Sequence, residues 1–205
     1  MKKLLRIDAS LRTEGSHSRA LSNFFETIWK KANPAGSIIY RDLTKQQIPH
    51  LQNKTVEAFH VPEENWTAEN KQAISLSNEL IAELKSVDEL LISSPLYNLN
   101  VPSTLKAYFD HITRSGHTFE VNTDGSYKGL LDMESVYLIT TKGESYKGTS
   151  MEPLDFQEPY LKVICGFLGM KIKNIFSLEA TAHLDILEKN IALAQQEIKK
   201  TLKIN

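Results

Sequence analysis

The sequence predicts an α/β protein: a doubly wound, five-stranded parallel sheet in the order 2-1-3-4-5, with helices on both faces. Three observations predict it. Short apolar runs bounded by turn residues recur at Lys3–Asp8, Ser37–Leu43, Asp88–Ser93, Ser135–Thr140 and Lys173–Leu178; runs of this kind read as buried strands. Segments with helical apolar spacing lie between them, and strands alternating with helices make a parallel sheet covered on both faces. Finally, polar loops follow the first and third strands. In this order those strands flank the switch point, the edge where ligands bind in open parallel sheets. Right-handed crossovers leave few other topologies.

Each element has its own warrant. After the first strand comes the polar loop Ala9 to Ser18, and then a helix whose buried stripe is Leu21, Phe24, Phe25 and Ile28, at i, i+3, i+4 and i+7. Asn33-Pro34-Ala35-Gly36 stops it. The second strand leads into a long connection holding Pro49, Phe59, Pro62 and Trp66. Its length points to a surface segment with a role in a site or an interface. Thr67 to Lys85 reads as one helix, with Ile74, Leu76, Leu80, Ile81 and Leu84 apolar.

The third strand ends in Ser94-Pro95-Leu96-Tyr97-Asn98-Leu99-Asn100-Val101-Pro102, and Leu105, Tyr108, Phe109 and Ile112 mark the next helix. Pro102 suits its first position, where a missing N–H costs nothing. Asp124-Gly125 suggests a small hairpin before the fourth strand. That strand ends in Thr141-Lys142-Gly143-Glu144. Pro159 to Leu168 is a further helix closed by Gly169, and the last helix carries Leu187, Ile191, Leu193 and Ile198.

Bulk properties narrow the function. With 205 residues the chain, 1–205, reads as a single domain with one substantial core. A net charge of −1 with scattered Lys and Arg argues against nucleic acid or an anionic membrane as the main partner. No apolar run reaches membrane-span length and the N-terminus lacks the pattern of a signal peptide. Cys165 is the only cysteine, so no internal disulfide forms, and a reducing, cytoplasmic setting fits best.

The first loop brings the hydroxyls of Ser10, Ser16 and Ser18 to the start of a helix. Free amides and partial positive charge there favour a phosphate. The competing reading is that Ser16 or Ser18 simply caps the helix. One serine would mean no more than that, but three at the switch point favour a phosphate. The loop after the third strand, taken alone, is no more than a Pro/Asn-punctuated turn.

Other chemistries fail on specifics. There is no Gly-x-x-x-x-Gly-Lys-Ser/Thr and no Gly-x-Gly-x-x-Gly after the first strand. Ser93-Ser94-Pro95 stands where a receiver domain would need its aspartate. The six histidines are dispersed without metal-ligand spacing. Cys165, among Ile164, Phe167 and Leu168, reads as core. His111 reads as structural, whereas His117, in a loop near the expected site, is a candidate for touching substrate.

Taken together, the motifs resemble the FMN-dependent NAD(P)H azoreductases and quinone oxidoreductases, a flavodoxin-like family. The resemblance runs end to end. It is carried by Asp8-Ala9-Ser10 with Ser16-His17-Ser18, by Pro95-Leu96-Tyr97-Asn98 through Pro102 and Leu105-Lys106, and by Gly116-His117-Thr118-Phe119. Ile139 through Gly143, Glu158-Pro159-Tyr160-Leu161 and Gly166-Phe167-Leu168-Gly169 complete it.

The resemblance implies that Ser10, Ser16, His17 and Ser18 hold the FMN phosphate. It implies that Leu96, Tyr97, Asn98 and Leu99 run beside the isoalloxazine ring, and that Thr141, Lys142 and Gly143 meet its far edge. It further implies hydride transfer from NAD(P)H, a quinone or aromatic azo compound as acceptor, and a homodimer with flavin at the interface. Three positions depart from the family pattern. Leu99 and Val121 stand where aromatics are usual, and Glu144 replaces a second glycine, which would reshape that edge or place a carboxylate by the flavin. The competing class is a flavin-binding electron carrier or sensor that turns over no small-molecule acceptor. A hydrolase on the same fold would need a nucleophile–base pair, and none is visible.

Overall fold

The computed structural model describes residues 1–204. Strands β1 (Lys3–Asp8), β2 (Ser37–Asp42), β3 (Glu89–Pro95), β6 (Met133–Thr141) and β7 (Met170–Leu178) form one parallel sheet in the order β2-β1-β3-β6-β7. In sheet-strand count this is the expected 2-1-3-4-5, the flavodoxin-like arrangement. A separate antiparallel pair, β4 (Phe119–Val121) and β5 (Tyr127–Gly129), is the hairpin signalled by Asp124-Gly125.

Strand side chains alternate between two cores, as a pleat with helices on both faces requires. Leu5, Ile7, Leu90, Ile92, Val136 and Leu138 face one side. There they meet helices α4 (Ser75–Lys85), α5 (Ser103–Ile112) and α6 (Gln157–Phe167) through Leu80, Tyr108 and Leu161. Leu4, Leu91, Tyr137 and Ile139 face the other, against α1 (His17–Ala32) and α7 (Leu184–Thr201) through Leu21, Phe25, Trp29 and Ile198. Because every main strand runs the same way, the loops after β1, β3 and β6 gather at one edge.

The structure departs from the expected elements at several points. The helix expected over Thr67–Lys85 is two, α3 (Ala68–Ala73) and α4, with a bend at Ile74 (φ −103°, ψ 3°). Ile74 is fully buried and keeps the apolar spacing, so periodicity alone cannot see the bend. Strand β3 runs on to Pro95 because pairing with β6 continues, Pro95 opposite Thr141. Pro102 is the residue before α5 rather than its first.

The long connection is ordered by α2 (Asn53–Phe59) and a 3-10 turn, Glu63–Asn65. Its aromatics are not left to water: the Arg114 guanidinium lies 4.9 Å from the Phe59 ring centre and 6.0 Å from that of Trp66. Trp66 Nε1 donates to the Val61 carbonyl at 2.8 Å.

Candidate functional site

The first loop leaves β1 at Asp8, a buried carboxylate. Arg6 Nε donates to Asp8 Oδ2 at 3.0 Å and Ser93 Oγ to Oδ1 at 2.9 Å, which satisfies it where a bare charge would be costly. Ala9 N donates to the Ser93 carbonyl at 2.9 Å, tying the first loop to the third strand. Gly15 (φ +61°) takes the left-handed turn into α1. Ser16 caps the helix, its Oγ accepting from Arg19 N at 3.4 Å. The same Oγ donates to Ser10 Oγ at 2.9 Å and lies 3.2 Å from Ser18 Oγ. Capping and hydroxyl clustering thus coexist. Ser10 and Ser18 are buried, and the amides of His17 and Ser18, in the first helical turn, donate to no group among the described residues. Ser10 Oγ also accepts from Arg12 N at 3.3 Å and lies 3.4 Å from Arg12 O. Clustered hydroxyls beside free helix amides suit an anion with several acceptor oxygens.

The second loop is a tight turn, Tyr97–Asn100, closed by Tyr97 N to Asn100 O at 2.8 Å and Asn100 N to Tyr97 O at 3.1 Å. Both central residues are left-handed, Asn98 at φ 48° and Leu99 at φ 71°. Asparagine tolerates this and leucine does so only under strain, a feature that clusters at functional sites. The Asn98 and Leu99 amides find no acceptor among the described residues. Leu96 N donates to Thr141 O at 2.7 Å and Phe156 N to Leu99 O at 3.0 Å, joining this loop to β6 and to the start of α6. The Tyr97 hydroxyl lies 3.5 Å from Ser10 Oγ, so loops one and two meet. A cavity of about 510 Å³ opens beside them, lined by Leu11, Tyr97, Asn98, Val101, Pro102 and Tyr160 among others.

The third loop follows β6, and its lysine is engaged inside the chain. The Lys142 ammonium lies 2.6 Å from Asp155, 2.8 Å from Glu158 and 3.0 Å from Glu179. Burial pulls this ammonium's pKa down, but the bonds to the three carboxylates outweigh burial and hold it above the ordinary lysine value. Glu179 in turn accepts from the Tyr146 amide at 2.8 Å. Thr181 N to Lys142 O and Ala182 N to Gly143 O, both 3.0 Å, dock the loop on the segment after β7. Thr141 is buried at the end of β6. A Cβ added at Gly143 would meet nothing within 4 Å, so space rather than internal packing surrounds it. The Glu144 carboxylate is exposed and accepts from or pairs with His183 Nε2 at 2.7 Å.

His117 lies elsewhere. It lines a separate cavity of about 450 Å³ with Phe59, Trp66 and Arg114, and no residue of the three loops lines that cavity. Burial, then the Arg114 guanidinium, hold its pKa below the ordinary histidine value. Its Nε2 is 3.1 Å from Arg114, which has donors only, so Nε2 accepts and the ring proton sits on Nδ1. His111 is buried, with Nε2 2.9 Å from the Pro49 carbonyl. Cys165 is fully buried and burial pushes its thiol up to about 12.

Sequence reasoning missed Arg19, which donates through Nε and a terminal nitrogen to the Ser10 carbonyl and pairs with Asp42 at 2.7 Å. A signal existed. A cation in the first turn of a helix opposes the helix dipole and needs a compensating partner.

Comparison with known proteins agrees with this fold. A family model described as a flavodoxin-like fold matches residues 2–202. A Nostoc protein named FMN-dependent NADH:quinone oxidoreductase is 42% identical over 205 residues, covering 98% of this chain and 99% of its own. One of the same name from Hydrogenovibrio crunogenus is 38% identical over 203 residues, covering 98% and 100%. Among solved structures, an azoreductase from Bacillus anthracis superposes with a TM-score of 0.90 at 23% identity, covering 98% and 99%, a likeness of fold. An FMN-dependent NADH-azoreductase from the same species, solved in complex with FMN, gives a TM-score of 0.85 at 25% identity, covering 98% of each chain. On this match of fold, length and sequence, the chain belongs to the flavodoxin-like family that includes the FMN-dependent NADH:quinone oxidoreductases.

Proposed function

We propose that this chain is an FMN enzyme that carries two electrons from NAD(P)H to a quinone or an aromatic azo compound. The observation that carries the reading is the hydroxyl cluster of Ser10, Ser16 and Ser18 beside the free amides at the start of α1. FMN, when bound, supplies the chemistry, accepting a hydride and releasing an electron pair to the acceptor. The protein's part is binding and orientation. Ser10, Ser16, His17 and Ser18 hold the phosphate. Leu96, Tyr97, Asn98 and Leu99 line the ring, with the free amides of Asn98 and Leu99 as donors to it. Thr141 and Gly143 meet the far edge, Lys142 holds that loop from behind, and Glu144 sets a charge at the rim.

The donor set fits a phosphate with nothing further attached, so the chain takes FMN in preference to FAD, one per chain. Titration with Ser16→Ala and Ser18→Ala tests this. Each lost bond to an ionised group costs about 1.5–3 kcal/mol, which is about tenfold or more in FMN affinity. Unchanged affinity in both variants removes the phosphate assignment.

If the three loops hold the phosphate and two edges of the ring, nicotinamide and acceptor would share the remaining face and take turns on it. Reacting atoms must come within about 3–3.5 Å, so double-reciprocal plots at several acceptor concentrations should be parallel. Intersecting lines would mean both substrates bind at once. We further propose a cytoplasmic homodimer with flavin at the interface. Support comes from the family and from apolar surface left on α6 and the hairpin, where Val163 is 70% and Val121 53% exposed. Light scattering at twice the chain mass is the expected result. No helix among the described residues is long and apolar enough to cross a membrane.

A further inference from the structure

Beneath the hydroxyl cluster lies a cation that looks placed to bind phosphate and is not free to do so. Arg19 Nε and NH2 donate to the Ser10 carbonyl at 3.3 and 2.8 Å. Its NH1 and NH2 donate to the two oxygens of Asp42 at 2.8 and 2.7 Å, a bidentate fork. Asp8 Oδ2 lies a further 4.0 Å from NH1. Asp42 is itself fixed from the other side, accepting from the Thr44 amide at 3.0 Å and its hydroxyl at 2.8 Å. The charge is therefore neutralised within the chain, and most of the five N–H groups of a guanidinium are already used. What remains is geometry. The fork ties the end of β2, the first turn of α1 and the backbone of Ser10 into one unit, and Ser10 Oγ is the atom to which Ser16 Oγ donates at 2.9 Å.

We propose that Arg19, held by Asp42, is a positioning residue for the phosphate cradle: it sets the Ser10 backbone, and through it the hydroxyl cluster, without touching the phosphate. The inference rests on the phosphate reading of that cluster. It gives Asp42, on a strand that supplies no ligand contact, an indirect role in cofactor affinity. It also explains how a cation is tolerated in the first turn of α1: Asp42 offsets its charge against the dipole. Hydrogen bonding from Arg19 keeps the Asp42 carboxyl well below the usual range despite burial, so the pair stays intact at working pH.

The test compares two ligands that differ only in the phosphate. The full-length apoprotein is titrated with FMN and with riboflavin, following flavin fluorescence, for wild type, Arg19→Lys, Arg19→Gln, Asp42→Asn and Ser18→Ala. Lysine keeps the charge but cannot span the Ser10 carbonyl and both Asp42 oxygens, and it guards against failure of the glutamine variant to fold. The expected result is a rise in FMN Kd of about tenfold for Arg19→Gln, smaller but in the same direction for Arg19→Lys and Asp42→Asn. Riboflavin Kd should stay within about twofold of wild type in all three. Equal weakening of both ligands would make Arg19 merely structural and overturn the inference, as would unchanged FMN affinity. Ser18→Ala separates the two layers. If it erodes the preference for FMN over riboflavin while the Arg19 and Asp42 variants do not, this inference alone falls. If Ser18→Ala leaves the preference intact, the phosphate reading falls and takes this inference with it.

Discussion

Replacing Lys142 with Met would remove the cation shared by a cage of three largely buried carboxylates, leaving only Lys162, 3.8 Å from Glu158, as an ion-pair partner. The Lys142 side chain is 2% exposed, and its partners Asp155, Glu158 and Glu179 lie at 2.6, 2.8 and 3.0 Å with side chains 12–17% exposed. Breaking a buried pair costs about 3–5 kcal/mol. The partial wetting of these carboxylates places the cost at the lower end, about 3 kcal/mol. For a chain of this size that is a fall in Tm of about 6–12 °C.

The pH dependence has a definite sign. Burial pushes the Glu158 carboxyl up, and Lys142, helped by the hydroxyls of Ser177 and Thr140, more than offsets it, so its folded pKa lies below the ordinary value. In the wild type its contribution is therefore present above the unfolded pKa of about 4.3 and lost as pH falls through the folded pKa. In the Met variant burial is opposed only by the hydroxyls of Ser177 and Thr140 and by the more distant Lys162, so the folded pKa rises from its wild-type position, and the penalty, full at neutral pH, shrinks as acidification protonates the carboxylate. Urea or thermal unfolding at fixed FMN concentration, at pH 7 and pH 4.5, measures both. Constant FMN matters because a ligand of the native state raises Tm by mass action. A difference below about 1 kcal/mol at pH 7, the scale of an exposed pair, would refute the cage. So would a difference that grows on acidification.

Three further outcomes follow from the packing and the site. Gly129→Ala should destabilise by about 3 kcal/mol or more, since its Cβ would stand 2.0 Å from Gly169 N, a backbone atom that cannot swing aside. A drop in Tm with the hairpin's amides losing exchange protection is the reading, and an unchanged Tm would deny the close approach. Cys165, buried with its thiol pushed up to about 12, should resist a thiol reagent at pH 8 in the native state and react at once in denaturant. Fast native labelling would contradict the burial. Leu99→Phe leaves the left-handed φ of 71° no worse than leucine does and adds a ring worth about 0.5–1.5 kcal/mol in stacking. It should tighten a planar acceptor a few-fold, seen in KM, with FMN affinity nearly unchanged.

Much of the architecture was legible without coordinates, because burial on both faces and turn chemistry are local properties. Lys3–Asp8 could be read as a strand from its own residues, and its range in the structure is the same. Asp124-Gly125 announced its hairpin in the same way. The break at Ile74 was invisible, since a bend that keeps an apolar residue inside leaves the periodicity untouched. The aromatics Phe59 and Trp66 looked stranded on a long connection until Arg114, some fifty residues away, was seen to cover them.

At the ligand edge the division is sharper. The three serines and the helix start declare their chemistry in sequence, because a hydroxyl and a free amide keep their donor character wherever the fold carries them. Charged residues do not. Lys142 and Arg19 are both cations in loops or helix starts that face the site, and each could have met an anion there. Only the fold, by bringing Asp155, Glu158 and Glu179 around one and Asp42 beside the other, decided that both charges are spent inside the chain. Composition and order specify which groups exist, whereas the role of a charge depends on its neighbours through an interaction that falls with distance and strengthens with burial. Those distances exist only once the chain is folded.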